Sequence, residues 1–307
     1  MAEAQTGRPV VWIPREVHAD AVADLETWAD VRRGWGRQAS TEDAVAPLVQ
    51  GVLLRTARLD APQLSRMPRL RIVARHGVGT DTVDTAFARE HGIRITTTPE
   101  ANVLSVAEHA IALLLAVRRG IGAAVSGRGE RVDLIGSELS GSTLGLIGFG
   151  RIARHVARIG QGGFSMRVLA HDPGLSDDEV RAAGAEPRSL DDLLEQSDAV
   201  SVHVPLVPAT RGLLSTAQFR RMRSHAVVLN TSRGGVVDEQ ALLAALDAGE
   251  VGGAGLDVSE VEPMPADHPL RGRADVVVTP HIGGQTREAM RRVAMEAAAS
   301  LRAELAP

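Results

Sequence analysis

The 307-residue chain contains no cysteine and no tyrosine, with three tryptophans and four phenylalanines. Without thiols it can form neither disulfides nor thiolate metal sites, and it is compatible with a reducing compartment. Charge of one sign is also lacking: a net charge of -4 gives no bulk attraction to nucleic acid or anionic membrane, so any basic site must be local. Long apolar runs are missing too. The longest helical one, Ala110 to Val117, falls well short of the roughly 20 residues needed to cross a bilayer. The start, MAEAQTGRPVVWIP, has no basic segment leading into a long apolar core, so no signal peptide is expected. These absences point to a soluble cytoplasmic protein with no membrane partner, no nucleic-acid partner and no metal.

What is present is globular in character, with 44% apolar and 23% charged residues in a length that accommodates two domains with a cleft between them. Short β-rich runs alternate with helical stretches, the pattern of parallel sheets covered by helices. VVWI, GVLL, RIVA and IRIT read as strands of a first unit of about a hundred residues. TLGLIG, MRVLAHD, DAVSVHV, HAVVLN, GGAGLDV and DVVVT read as a second series. The expected fold is α/β, with two doubly wound parallel-sheet domains of Rossmann and flavodoxin-like type. One would hold residues 101–284 and bind a dinucleotide. The other would be discontinuous, 1–100 plus 285–307, because the last helix, Thr286 to Leu305, follows completion of the second sheet. The stretch NVLSVAEHAIALLLAVRR, Asn102 to Arg119, is apolar around most of its circumference, which suits either a subunit interface or a central helix of a large domain.

The segment TLGLIGFGRIARHVARIG is a strand, a GxGxxA turn at Gly148, Gly150 and Ala153, and a helix. In a dinucleotide site the first glycine permits the tight turn and the second lets the backbone approach the pyrophosphate. A third small residue lets helix and strand pack, and the helix start presents free N–H groups to phosphate. The next strand ends at Asp172, 24 residues after Gly148, near the about 20 expected for an acid that binds the adenosine ribose. Such a carboxylate accepts from the 2'-OH and repels a 2'-phosphate, which favours NAD over NADP. The alternative role for Asp172 is a turn residue before Pro173.

The order of motifs resembles the D-isomer-specific 2-hydroxyacid dehydrogenase family, especially its phosphoglycerate dehydrogenase and hydroxypyruvate reductase branches. The likeness extends from about Gly51 to Ala289 through ARHGVGTDTVD, NVLSVAE, LGLIGFGRIA, VHVPL, NTSRGGVVDEQAL, GLDVSEVEP and TPHIGG. It implies a catalytic set of Arg233, Glu262 and His281. Histidine suits proton exchange near neutral pH, a glutamate on its far ring nitrogen fixes the tautomer, and an arginine fork holds the substrate carboxylate. The alternative roles are a structural Pro-His turn and an arginine bound to its own backbone. The resemblance also implies NAD (NADH in reduction), with contacts from Gly148, Gly150, Arg151 and Ile152 at the turn and Asp172 at the ribose. His203, Val204, Pro205, Thr231, Ser232, Asp257 and Gly283 would complete that site.

On the substrate side, similar enzymes bind the carboxylate with a loop that here reads Arg75, His76, Gly77, Val78 and Gly79, with Asn102 nearby. Arg55 matches an arginine that contacts substrate in phosphoglycerate dehydrogenases. Arg55, Arg75 and Arg233 could hold a second anionic group, unless Arg75 instead stabilises its own loop. Relatives often carry a large aromatic before the GxEL segment, where this chain has Gly129, leaving Arg128 or Arg131 to contribute. Stacking on an aromatic substrate is therefore not expected, nor is a C-terminal serine-sensing domain.

The expected partner is a small 2-hydroxy or 2-keto acid of phosphoglycerate, glycerate or sulfolactate type, in a homodimer formed through Asn102 to Arg119. A glyoxylate/hydroxypyruvate reductase is an alternative. Another is an NAD-sensing binding protein resembling the C-terminal-binding corepressors. Formate dehydrogenases carry Gln at the position of Glu262, which argues against that activity.

Overall fold

A computed structural model describes residues 7–127 and 135–306. The chain divides into two compact units, Met1–Asn102 with Gln285–Pro307, and Val103–Gly284. Gly129, Arg128 and Arg131 lie outside the described residues.

The first unit is a parallel sheet of β1 (Val10–Ile13), β2 (Asp30–Arg33), β3 (Gly51–Leu54), β4 (Ile72–Arg75) and β5 (Arg94–Thr96) in the order β2-β1-β3-β4-β5. This is the flavodoxin-like doubly wound order. β3 and β4 are buried along their whole length, β3 on an unbroken apolar run and β4 with Arg75 at its end. Edge strand β2, DVRR, is half-buried throughout and has no apolar run, so composition does not reveal it. Charged residues on an exposed edge also discourage pairing with another chain. Helix α12 (Arg287–Leu305) closes the unit, its start capped by Thr286, whose Oγ1 accepts from Ala289 N at 3.1 Å. It lies so close to β3 that a Cβ on Gly51 would sit 2.6 Å from Leu305 Cδ1. Ion pairs join Arg291 to Asp20 and Arg302 to Asp24 on α1 (Ala19–Glu26). Because both ends of the chain build one unit, its sequence is discontinuous.

The second unit holds β6 (Thr143–Ile147), β7 (Arg167–His171), β8 (Glu186–Pro187), β9 (Ala199–Val202), β10 (Val227–Asn230), β11 (Gly253–Leu256) and β12 (Val276–Val278). All are parallel, in the order β12-β11-β10-β9-β6-β7-β8. The strand order reverses between β6 and β9, which is where ligands bind in sheets of this type, outside the carboxyl ends of the strands. Helix α5 (Val103–Arg118) packs on β10 and β11 through glycine: a Cβ on Gly255 would lie 3.0 Å from Leu113 Cβ, and one on Gly253 2.7 Å from Val117 Cγ1. The opposite stripe of α5, Leu104, Glu108 and Ala112, is exposed.

Candidate active site

The turn after β6 is built by its glycines. Gly148 adopts φ +82°, and a Cβ there would meet Val204 Cγ1 at 2.8 Å, so only glycine fits. Gly150 has no protein atom within 4 Å of where a Cβ would be, leaving the backbone open to a ligand. It precedes α7 (Arg151–Phe164), whose N-cap is Gly150, so no side chain caps the helix start. Ala153 is fully buried, the small residue on which helix and strand pack. These features suit a pyrophosphate group.

Asp172 directly follows β7, and its side chain bonds this turn. Its Oδ2 accepts from Phe149 N at 2.8 Å and its Oδ1 from Gly174 N at 2.9 Å. The turn role and a ligand role therefore coexist, since each oxygen keeps a second lone pair. A cavity of about 610 Å³ opens here, and Asp172, Asp177 and Asp192 are among its lining residues. Three carboxylates make it hostile to an added phosphate. Across the switch point, His203 bonds Ser201 Oγ through Nε2 at 2.9 Å. Although part of the residue's surface is exposed, the ring is packed among protein atoms, and that desolvation lowers its pKa to about 4. It is a neutral wall, not a charge. Pro205, next to Val204, is exposed.

The next loop, after β10, folds on itself. Asn230 Oδ1 accepts from Ser232 N at 3.0 Å and Ser232 Oγ at 2.8 Å, while its Nδ2 donates to Arg233 O at 2.9 Å. Arg233 Nη1 donates to Ser232 O at 2.7 Å, which orients the guanidinium. Thr231 Oγ1 is buried with no partner, an orphan polar atom that a bound group could satisfy.

Glu262 and His281 come together from loops after β11 and β12. His281 Nδ1 and Glu262 Oε2 are 2.8 Å apart. The bond to Glu262 raises the His281 pKa, outweighing desolvation, with the charges of Glu262 and Asp257 adding and Arg233 opposing. Burial pushes the Glu262 pKa up, but the hydrogen bond and charge of His281, Ser259 N and Arg233 bring it below its ordinary value. Both directions describe a pair held toward imidazolium and carboxylate. Arg233 appears among the charges felt by both, so the three sequence candidates share one site.

Asp257 sets the backbone of this pair. Nearly buried at 2% exposure, it accepts from Thr279 Oγ1 at 2.6 Å and Ile282 N at 2.8 Å through Oδ1, and from Gly283 N at 2.8 Å through Oδ2. His281 has φ +54°, a strained conformation for a side-chain-bearing residue, and its N–H is held by Asp257 O at 2.8 Å. His109 on α5 completes the arrangement, its Nε2 3.0 Å from Thr279 Oγ1 and 3.2 Å from Asp257 Oδ1. Sequence reasoning passed over His109 and Thr279. The only available signal for His109 was a histidine inside an otherwise apolar helix.

In the first unit Arg75 is 7% exposed and tied to backbone: Nε donates to Gly79 O at 2.8 Å, and Nη1 to Leu54 O at 3.1 Å and Arg55 O at 2.9 Å. These contacts favour loop stabilisation over substrate binding. Gly77 (φ +128°) donates to Thr98 Oγ1 at 3.1 Å, and Val78 beside Gly79 is exposed. Burial, then the charges of Arg55 and Arg75, lower the His76 pKa to about 4 against the opposing pull of backbone at His76 and Met290. His76 Nε2 and Asn102 Oδ1 are buried without partners. Arg55 Nη1 donates to Glu16 O at 3.0 Å.

A Rossmann-type sheet with an open glycine turn at its switch point, and a histidine–carboxylate pair on the same edge, defines a dinucleotide-binding protein equipped for proton exchange. Residues 107–283 match the family model described as D-isomer specific 2-hydroxyacid dehydrogenase, NAD binding domain. The chain is 38% identical to the glyoxylate reductase of Aeropyrum pernix, over 96% of this chain and 92% of that protein. It is 41% identical to the D-3-phosphoglycerate dehydrogenase of Mycobacterium tuberculosis over 97% of this chain, but spans only 57% of that relative's length. A crystal structure of a glyoxylate reductase from Paecilomyes thermophila superposes with TM-score 0.85 at 26% identity, covering 97% of this chain and 96% of that one. The chain belongs to the D-isomer-specific 2-hydroxyacid dehydrogenase family, and its second unit carries the family's NAD-binding domain.

Proposed function

We propose that the protein is an NAD-dependent oxidoreductase acting on a small D-2-hydroxy acid and its 2-keto acid. The observation that carries this reading is the 2.8 Å bond between His281 and Glu262, with Arg233 close enough to influence the charge of both. NAD supplies the hydride acceptor, and in its reduced form the donor, at nicotinamide C4. His281 takes the hydroxyl proton on Nε2 as the acid is oxidised and returns it to the C2 oxygen in reduction. Glu262 keeps Nδ1 protonated and steadies the imidazolium. Arg233 holds the substrate carboxylate and polarises the C2 oxygen.

The turn at Gly148 to Ile152 would hold the pyrophosphate, Asp172 the ribose, and Val204, Thr231 and Gly283 the remainder of the cofactor. The carboxylates around the cavity at Asp172 favour NADH over NADPH by at least about tenfold, the worth of one modest charge repulsion. The first unit is the substrate-binding domain, with Val78 and Gly79 for the carboxylate and Arg55 for the far end of the molecule. With Arg75 tied to its own loop, one arginine of that unit is left for a second anionic group. A short substrate of glyoxylate or hydroxypyruvate type is favoured by the near full-length match to a glyoxylate reductase. A phosphorylated or sulfonated acid is the second arm. We further assign the exposed stripe of α5 to pairing with a second copy of the chain.

The test is NADH oxidation with glyoxylate, hydroxypyruvate, phosphohydroxypyruvate and sulfopyruvate. Turnover of one or more supports the reading and ranks the arms. Tight NADH binding with no turnover of any would instead indicate an NAD-sensing protein.

A further inference from the structure

Helix α11 (Glu239–Asp247) begins beside the loop that carries Glu262. Its N-cap is Asp238, whose Oδ1 accepts from Ala241 N at 3.0 Å while Oδ2 accepts from Ser215 Oγ at 3.0 Å. The helix start is thus already capped, and the next side chain, Glu239, has no capping duty. It is nevertheless only 11% exposed. A carboxylate is seldom buried at a helix surface unless its oxygens are engaged. Here Oε1 accepts from Glu260 N at 2.6 Å, and Oε2 faces His268 Nε2 at 3.3 Å. Both contacts leave the helix for the segment between β11 and β12.

That segment is pinned from below as well. A Cβ on Gly234 would lie 1.9 Å from Ser259 O, so the backbone next to Arg233 and the backbone before Glu260 are in direct contact. Ser259 then closes a local turn, with Oγ donating to Val261 O at 2.8 Å and N–H to Glu262 Oε1 at 3.4 Å. The loop has two anchors, one at Ser259 and one at Glu260. Glu262 projects two residues beyond the second of them.

We propose that Glu239 is a positioning residue for the catalytic pair: its carboxylate fixes the Glu260 backbone, and so sets the distance between Glu262 and His281. The proposal rests on the reading of Glu262 and His281 given above. Burial, with the charge of Glu260, raises the Glu239 pKa, and the Glu260 N–H and His268 only partly offset it. Glu262, Asp257 and Arg233 are among the charged groups that face His281, and Glu262 has the largest effect on its ionisation, so displacing Glu262 lowers its pKa.

The measurement is an NMR titration of the His281 imidazole, assigned by the signal lost in His281→Gln. In the wild type the midpoint is expected above the ordinary histidine value, because the bond to Glu262 favours the imidazolium. In Glu239→Ala it should fall by roughly half a unit or more, as Glu262 loses its fixed position. Glu239→Gln keeps an oxygen for the Glu260 N–H and should retain the wild-type midpoint. Keto-acid reduction by Glu239→Ala should drop in kcat by about tenfold, since misplacement of a reacting group lowers the rate steeply, while the Kd for NADH stays within about twofold. A folded Glu239→Ala protein with an unchanged His281 midpoint overturns the proposal. Should that variant not fold, Glu239→Asp, too short to reach Glu260, is judged by the same criterion. Unfolding of both also overturns it, because a role confined to the loop leaves the rest of the chain folded. A wild type that reduces no 2-keto acid defeats the functional reading but leaves the titration readable.

Discussion

In the proposed reaction His281 must hold a proton at the pH of reduction, and Glu262 is the largest influence on it. Because the folded pKa is raised, chiefly by Glu262, the imidazolium persists to higher pH, and with it the proton that the proposed reduction requires. The pair also links to stability: the histidine contribution is full below its unfolded pKa and is lost as pH rises through the raised folded value. The contribution of Glu262 is lost as pH falls through its lowered one. Glu262→Gln removes the charge and weakens the bond. In a pH profile of kcat for reduction, its alkaline limb should move to lower pH; a limb that stays in place would show that Glu262 does not tune the proton. His281→Gln should lower kcat by about 10²–10⁴-fold with the Kd for NADH little changed, as measured by NADH fluorescence. Motifs made these residue types legible because NTSRGG, SEVEP and TPHIGG are local in sequence. What could not be read were partners distant along the chain. His109 meets Asp257 from another element, and Arg75 uses its guanidinium on the carbonyls of Leu54, Arg55 and Gly79. No spacing rule encodes such contacts.

At the scale of elements, strands with an apolar run were legible, edge strands β5 and β12 included, and the edge strands that lack one were not. β1 and β3 coincide with their apolar runs because burial on both faces demands unbroken hydrophobicity. β2 and the two-residue β8, which contains Pro187, lie at sheet edges where that demand lapses. Glycine divides in the same way between packing and tolerance. Gly255 is packed against α5, and an added Cβ would also lie 2.8 Å from Leu229 Cδ2, so Gly255→Ala should cost about 1–3 kcal/mol in denaturant unfolding. Gly162 and Gly163 present the opposite case. They lie in the last turn of α7, exposed, with no atom within 4 Å of an added Cβ. Gly162→Ala should therefore stabilise the chain by about 0.5–1 kcal/mol through helix propensity and a less disordered unfolded state. A destabilised Gly162→Ala protein would mean that this turn needs the freedom of glycine.

For the whole molecule the open question is what covers the apolar surface that the fold leaves in water. Among the described residues nine large apolar side chains are exposed, and four of them lie on α5 (Leu104) or between it and β6 (Ile121, Val125 and Ile135). Val125 and Ile135 are 83% and 89% exposed, far more than a solvated monomer gains from keeping there. The net charge of only -4 sets little repulsion against self-association. No helix among the described residues is long and apolar enough to cross a membrane, so these side chains are not part of such a span. A second copy of the chain meets the requirement, because a two-fold axis lets the same stripe cover itself. Light scattering at micromolar concentration should then give twice the 32.4 kDa chain mass. Replacing Leu104 and Val125 together by Glu places like charges on both sides of that contact and should shift the mass toward one chain, with the far-UV spectrum of the folded unit retained. A wild type that scatters as a single chain would refute pairing through α5, and a double variant that remains a dimer would move the interface elsewhere.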